Sequence, residues 1–148
     1  MLLDVLVPDP EFVVESRTYL RDALAAGALV ICEAVYTELG ARFNSPDELD
    51  RFLLDTGIRL DASSRTSLHV ASLAWRDFSQ RRLGGITCSG CGERQTITCS
   101  SCGRLVTVRQ HVLPDFLIGT HALIQADRLI TRDRGYFRTY FPGLFLMP

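Results

Sequence analysis

Three acidic residues stand at positions where a folded chain could bring them together as ligands for a metal ion. Asp115 opens an apolar helical segment, and Asp133 follows the short apolar segment 129–131. In an α/β unit, helix starts and the carboxyl ends of strands meet at one edge of the sheet, so we expect Asp115 and Asp133 to face one another there. Glu38, far upstream, is a candidate third carboxylate. Three convergent carboxylates without an obvious counter-charge indicate a hard divalent cation.

A second set of residues with metal-ligand spacing consists of four cysteines. They form two pairs, each with two residues between its members and a glycine after it: Cys88, Cys91, Cys99 and Cys102. Two thiolates three residues apart in a tight turn can reach one ion, and two such turns complete a tetrahedron of sulfurs. The spacing predicts a zinc-ribbon-like module with a structural Zn²⁺. The alternatives are a rubredoxin-like iron site and disulfides, which a cytosolic setting disfavours.

Helices and short strands must position these groups. Sequence patterns predict helices over 10–26, 33–43, 46–56 and 64–82, and strands at 28–32, 58–60, 129–131 and 143–146. Glu38 then lies on the second turn of its helix. Glu33, at the start of the same helix, is a competing acid, although a carboxylate there is better explained as a partner of the helix dipole. Cys32, in a predicted strand, is expected to be buried and inert.

These residues carry a resemblance to a known family. PDFLIGTHAL followed by LITRDRGYF resembles the carboxyl-terminal half of a PIN domain, as in VapC-type toxin ribonucleases, and ALVICEAVYTEL resembles that family's second strand and the helix with its second acid. The likeness covers nearly the whole chain except roughly 84–111, and it rests on the order and spacing of motifs. It implies an α/β three-layer sandwich with a mostly parallel central sheet. The domain would span 1–83 and 112–148, with the cysteine module inserted at 84–111.

The resemblance also implies a function. The protein would be a Mg²⁺- or Mn²⁺-dependent ribonuclease, the toxin of a type II toxin–antitoxin pair, with Glu38, Asp115 and Asp133 as catalytic metal ligands. Arg132, Arg134 and Arg138 would hold the phosphates of the RNA substrate. An antitoxin protein and a second copy of the chain are the other expected partners. The inserted module, with Arg94, Arg104, Arg109 and His111, is either an RNA-facing flap or a clip for stability or partner binding.

The amino-terminal segment departs from the family pattern. PIN domains begin with a strand that ends in Asp-Thr-Asn, and LLDVLVPD resembles the segment immediately after that triplet. Asp4 would then be a second, non-catalytic acid, and the first catalytic acid would lie upstream of Met1. In the alternative register, Leu2 and Leu3 end the strand and Asp4 is the catalytic acid. We favour the first register, which predicts that the native chain starts earlier and that this chain is a poor nuclease.

Composition narrows the function classes. The chain has 148 residues, 47% of them hydrophobic, which supports one folded domain with a small added module. No apolar run reaches membrane-spanning length and no secretory signal is visible, so a cytoplasmic protein without a membrane partner is expected. The net charge is −1, but arginine is in excess in the carboxyl-terminal half. Positive charge there would favour the binding of a phosphate backbone. The alternatives are a catalytically impaired binding module for RNA or protein and a phosphatase, for which no signature is present.

Overall fold

The computed structural model describes residues 1–81, 86–87, 94–106 and 113–147, and helices predominate in these ranges. The helices are α1 (Leu2–Leu6), α2 (Val13–Ala26), α3 (Glu33–Gly40), α4 (Pro46–Thr56), α5 (Arg65–Arg81), α6 (Leu113–Gln125) and α7 (Arg134–Tyr140). Each strand is two residues long: β1 (Val30–Ile31), β2 (Arg59–Leu60), β3 (Ile86–Thr87), β4 (Arg94–Gln95), β5 (Leu129–Ile130) and β6 (Leu146–Met147).

The strands of the described ranges form three separate pairs. β1 is parallel to β2, β5 is parallel to β6, and β3 is antiparallel to β4. The expected α/β three-layer sandwich with a mostly parallel central sheet is therefore wrong. Strands form close to each predicted position, but they pair only two by two, and no described strand joins the β1–β2 pair to the β5–β6 pair. Most of the apolar surface is buried where helices pack against one another.

Two hydrophobic clusters form the core. The first lies among α3, α4 and the β1–β2 pair, and its buried members are Ile31, Leu39, Leu49, Leu53 and Ile58. The second lies among α5, α6, α7 and the carboxyl-terminal segment, and its buried members are Ala71, Phe116, Ala122, Phe137, Phe141 and Leu144. Phe116, on α6, is fully buried and contacts Trp75, Phe78 and Phe141 with ring centroids 5.6–6.0 Å apart. This aromatic cluster fixes α6, and with it Asp115, against α5.

Local signals in the sequence set several helix ends. Ser45 caps α4, because its hydroxyl accepts the backbone N–H of Glu48 at 3.3 Å, while the Glu48 carboxylate accepts the N–H of Asn44 at 2.9 Å. Gly57 ends α4 in the left-handed region with φ +71°. Leu2–Leu6 is helical, so Leu2 and Leu3 do not end a strand, as the alternative amino-terminal register requires. Across the described ranges, no helix is both long and apolar enough to span a membrane.

Candidate active site

A cavity of about 450 Å³, here called the central slot, lies beside both β1 and β5. Both residues of each strand line it, whereas no residue of β2 does, and β6 contributes Met147. The slot therefore borders the strand edges that are turned away from their partners. Its walls are mainly apolar and come from both hydrophobic clusters, with Leu39 from the first and Ile118 and Ala122 from the second.

All three carboxylates predicted as metal ligands line this slot: Glu38, Asp115 and Asp133. Glu38 lies in α3, which begins two residues after β1, and Asp133 follows β5. Asp115 lies in the first turn of α6. Two of the acids thus follow the carboxyl ends of β1 and β5, and all three line the same cavity.

The electrostatics of Asp115 reflect this neighbourhood. Burial raises the pKa of Asp115, and the negative charges of Glu38 and Asp133 raise it further. Asp115 is thus close enough to both of these carboxylates to be repelled by them. In the part of the chain that the structure describes, however, no three Asp, Glu, His or Cys side chains are arranged so that they could hold one ion. The donor set suits Mg²⁺ or Mn²⁺, but the carboxylates would have to move together, with water as further ligands.

Glu33 does not belong to this group of acids. Its carboxylate accepts hydrogen bonds from the backbone N–H of Ser63 at 3.0 Å and from the Ser63 hydroxyl at 2.9 Å. Burial opposes ionisation of Glu33, but the N–H groups of Glu33 and Ser63, the Ser63 hydroxyl and the nearby His121 outweigh it and lower the pKa. Glu33 therefore stabilises the start of α3 and ties it to the loop before α5.

Of the three predicted phosphate-binding arginines, Arg132 has the best-defined surroundings. Its Nη2 donates to Oδ1 of Asp4 at 2.7 Å, and its guanidinium lies 3.9 Å from the centroid of the Phe12 ring. Arg138 is exposed on α7. The side chain of Arg134 lies outside the described residues, as do Arg109 and His111 and the side chain of Arg94. Arg104 is described and is exposed to solvent.

A buried polar cluster around Asp4 was not predicted from the sequence. Asp4 is 7% exposed and accepts hydrogen bonds from the Ser16 hydroxyl at 2.7 Å and from Arg132. The amino-terminal ammonium of Met1 is 3.0 Å from Oδ2 of Asp4. The sequence feature that could have predicted this cluster is an acid within the apolar segment LLDVLV, since a carboxylate that is buried there requires hydrogen-bond partners.

A second polar network joins α6 to the segment before α5, and it too was missed. Nε2 of His121 is 3.1 Å from Oδ2 of Asp61, and the amide nitrogen of Gln125 donates to the same oxygen at 3.1 Å. The amide oxygen of Gln125 accepts from the Ser64 N–H and the Ser67 hydroxyl, both at 2.7 Å. The sequence feature that could have predicted this network is a pair of polar residues spaced i, i+4 on an apolar helix. The network orients the face of α6 that carries His121 toward the central slot.

The second cysteine pair forms a tight turn. The N–H of Gly103 donates to the carbonyl of Cys99 at 2.8 Å, and Gly103 has φ +67°, which favours glycine. Backbone N–H groups of Cys102 and Ser101 lower the pKa of the Cys99 thiol. An antiparallel bridge between Thr98 and Leu105 flanks the turn. A lowered thiol pKa favours the thiolate that a metal requires.

The first pair, Cys88 and Cys91, lies outside the described residues, between β3 and β4. Those two strands pair antiparallel, with Thr87 opposite Arg94. The prediction that all four cysteines share one metal therefore remains a prediction. Cys32 is buried, 2% exposed, and burial raises the pKa of its thiol, as expected for an inert cysteine.

Comparison with models of known families, with curated proteins and with solved structures found no significant match.

Proposed function

We propose that this protein is a Mg²⁺- or Mn²⁺-dependent endoribonuclease that resembles the PIN domains of VapC-type toxins. The observation that carries the proposal is that Glu38, Asp115 and Asp133 line one cavity, with Asp115 close enough to the other two acids for their charges to act on it. Burial raises the pKa of Asp115, and repulsion by the Glu38 and Asp133 carboxylates raises it further. A divalent cation would remove the repulsion, which is a physical reason for the protein to bind one.

The three acids would hold the ion and the exposed arginines would hold the substrate. A bound divalent cation supplies positive charge at a scissile phosphate and makes a nearby water a better nucleophile. Arg138, exposed on α7, and Arg134 at the start of the same helix would bind flanking RNA phosphates. Arg132 would act differently from the other two, because its guanidinium is already engaged by Asp4 and Phe12. It would fix the loop that carries Asp133.

A structural Zn²⁺ bound by Cys88, Cys91, Cys99 and Cys102 completes the proposal. The lowered thiol pKa of Cys99 and the turn at Gly103 support it, because the first favours the thiolate and the second suits the tight turn of a metal-binding pair. A toxin of this type would work in the cytoplasm, with an antitoxin protein as its partner, and it could form a homodimer.

A second candidate function has its own supporting observation. Within the described residues, no three acids are spaced to hold an ion as they stand. A catalytically impaired module that binds RNA or protein would need no such spacing. The two functions differ in their response to metal, so one titration separates them.

The test uses metal-free protein prepared with a chelator. Mn²⁺ or Mg²⁺ is added, binding is followed by calorimetry, and cleavage of a mixed single-stranded RNA pool is followed on gels. The nuclease is expected to bind the ion and cleave, and Asp115→Asn is expected to lose both. RNA binding without metal uptake or cleavage would reject the nuclease and leave the binding module.

A further inference from the structure

Asp4 is a buried acid that the proposed reaction does not use. It lies in α1, 7% exposed, and it accepts a hydrogen bond at 2.7 Å from the hydroxyl of Ser16 in α2. Ser16 is itself 1% exposed, so the bond joins the two helices away from solvent. A carboxylate is costly to bury unless charged or hydrogen-bonding groups surround it. Arg132, from a distant part of the chain, supplies such a group.

Arg132 is held from two directions where α1 and α2 meet. Its Nη2 donates to Oδ1 of Asp4 at 2.7 Å, and its guanidinium lies 3.9 Å from the centroid of the ring of Phe12, the residue before α2. The bond to a carboxylate fixes the guanidinium in distance and direction, and the aromatic ring adds a cation–π attraction. The Arg132 side chain is 39% exposed, so without these contacts it would be a solvated surface group. Asp4, Phe12 and Ser16 are here called the α1–α2 corner.

The backbone of Arg132 belongs to a three-residue loop, 131–133, that joins β5 to α7. The first residue, Thr131, is anchored on β6, because its N–H donates to the carbonyl of Met147 at 3.0 Å. Arg132 adds a second anchor, on the α1–α2 corner. The N–H of Asp133 donates to the Thr131 hydroxyl at 3.2 Å, within the loop itself. Two neighbouring residues fixed on different elements leave the loop few conformations, so both anchors help to set where Asp133 lies.

The position of Asp133 matters because this acid lines the central slot together with Glu38 and Asp115. Burial and the charges of Glu38 and Asp133 raise the pKa of Asp115, so Asp133 lies within electrostatic reach of it. Carboxylate oxygens bind Mg²⁺ or Mn²⁺ within a narrow range of distances, so a ligand on a freely moving loop is a weak one. A group that orders the loop therefore contributes to the affinity of the site without touching the ion.

We propose that Asp4 is a positioning residue of the candidate metal site and that it acts through Arg132 on Asp133. The acid holds the guanidinium, the guanidinium holds the loop, and the loop sets the position of a metal ligand. The inference rests on the proposed function in one respect, because Asp133 must be a metal ligand for its position to affect metal binding. The ordering of the 131–133 loop by Asp4 can be measured without metal, so the two can fail separately.

The experiment compares variants of the full chain. Asp4→Ala removes the carboxylate, and Asp4→Asn keeps an oxygen that can accept from the guanidinium. Arg132→Met removes the guanidinium from a partly exposed position and keeps an apolar side chain near Phe12, so the fold should tolerate it. The double variant combines Asp4→Ala with Arg132→Met. Ser45→Ala, which removes the cap of α4, is the control for a general loss of stability.

The first readout is the order parameter of the Asp133 amide, from nitrogen-15 relaxation of metal-free protein. It is expected to fall from roughly 0.85 in the parent chain to below about 0.6 in Asp4→Ala and in Arg132→Met. Asp4→Asn should lie between these values, and Ser45→Ala should match the parent. If Asp4→Ala does not fold, Arg132→Met and Asp4→Asn decide. An Asp133 amide as ordered in Arg132→Met as in the parent chain would overturn the proposal.

The second readout is the affinity for Mn²⁺, measured by calorimetry in high salt, which screens the direct effect of each charge. Asp4→Ala and Arg132→Met should each weaken binding about tenfold, and the double variant should lose no more than either, because both changes break one link. Losses that multiply in the double variant would show that Asp4 does not act through Arg132. A parent chain that takes up no Mn²⁺ would reject the proposed function, while the order parameters would still decide whether Asp4 positions Asp133.

Discussion

Asp4 and Arg132 form an ion pair, with 2.7 Å between Oδ1 and Nη2, although 128 positions separate them in the chain. The pair joins α1 to the loop that carries Asp133. Asp4 is buried there, while the Arg132 side chain is 39% exposed. The amino terminus and the candidate site are therefore one structural unit, and a change in the first should be felt in the second.

Asp4→Asn is expected to destabilise the fold by about 1–3 kcal/mol, because it leaves Arg132 and the Met1 ammonium without their charged partner. Asp22→Asn is the matched control. Asp22 forms an ion pair with Arg21 in which both side chains are mostly exposed, so its loss should cost less than about 1 kcal/mol. Urea unfolding of both variants measures the difference, and equal midpoints would show that the buried pair contributes nothing special.

The same carboxylate predicts a pH dependence. Burial raises the pKa of Asp4, but the hydrogen bond from Ser16, the amino-terminal ammonium and Arg132 outweigh it and leave the pKa lowered. A folded pKa below the unfolded value of about 3.9 contributes stability above that value, and this is lost as pH falls through the folded pKa. Unfolding free energies measured from pH 5 downward should therefore fall less steeply in Asp4→Asn than in the parent chain.

Gly119→Ala tests the packing that fixes α6. A Cβ at this position would overlap the ring of Phe141, and both residues are buried. We expect a loss of about 1–3 kcal/mol from overpacking. Gly40→Ala is the control, since its Cβ would be 3.6 Å from Leu49, an ordinary contact. Thermal unfolding of the two variants gives the comparison, and a neutral Gly119→Ala would mean that Phe141 can move aside.

Local placement of the acids could be predicted from the sequence, whereas the pairing of the strands could not. Local patterns located the candidate acids correctly within their elements: Asp115 lies in the first turn of a helix, and Asp133 follows a strand. Such placements depend on a few neighbouring residues. The predicted sheet failed because strand pairing is non-local and requires a partner on each side. The edges at Val30 and Ile130 have one partner each in the described residues.

Buried polar networks were missed for a related reason. His121 and Gln125 stand out in an apolar helix, but their partner Asp61 is about sixty positions away, at 3.1 Å. The periodicity of a helix shows that a polar side chain faces the core. It does not show which group forms a hydrogen bond with that side chain. Asp4 is similar, since neither Arg132 nor Ser16 is near it in the sequence.

The zinc proposal predicts one zinc per chain in protein purified without chelator. Cys102→Ser and Cys88→Ser should each release it, because a site of four thiolates loses its closed shell when one is removed. Cys32→Ser is the control, since Cys32 is buried and lies in a different part of the chain. Elemental analysis is the measurement. Parent protein without zinc or iron would end the proposal, and zinc loss in Cys32→Ser would mean that the release is not specific.

The raised pKa of Asp115 predicts how metal and pH act together. Burial and the charges of Glu38 and Asp133 raise it, so in metal-free protein the folded state holds the proton more tightly than the unfolded state. Stability should then fall as pH rises from about 3.9 through the folded pKa. Divalent metal should bind more tightly over the same rise, because protons and cations compete for the carboxylates.

Asp115→Asn should therefore have two opposite effects. In chelator at pH 7 its thermal midpoint should be higher than that of the parent chain, since a repelled charge is gone. Its affinity for Mn²⁺ should be at least about tenfold lower. Asp55→Asn, an exposed acid on α4, should change neither. Calorimetric titration and thermal scans supply both numbers, and a destabilised Asp115→Asn would contradict the repulsion.

The last prediction concerns RNA and separates positioning from chemistry. Asp115→Asn should reduce Mn²⁺-dependent cleavage by at least about 100-fold, because the metal supplies several kcal/mol of charge stabilisation, yet it should retain RNA binding. Arg138→Ala should weaken RNA binding but leave the metal-dependent cleavage step intact. An exposed arginine that contacts one phosphate contributes about 0.7 to the slope of log affinity against log salt for single strands, so that slope should fall by this amount. Binding measured from 50 to 200 mM salt gives the slope. If both variants lose binding equally and the parent chain cleaves nothing in metal, the acids belong to an RNA-binding surface and the nuclease proposal fails.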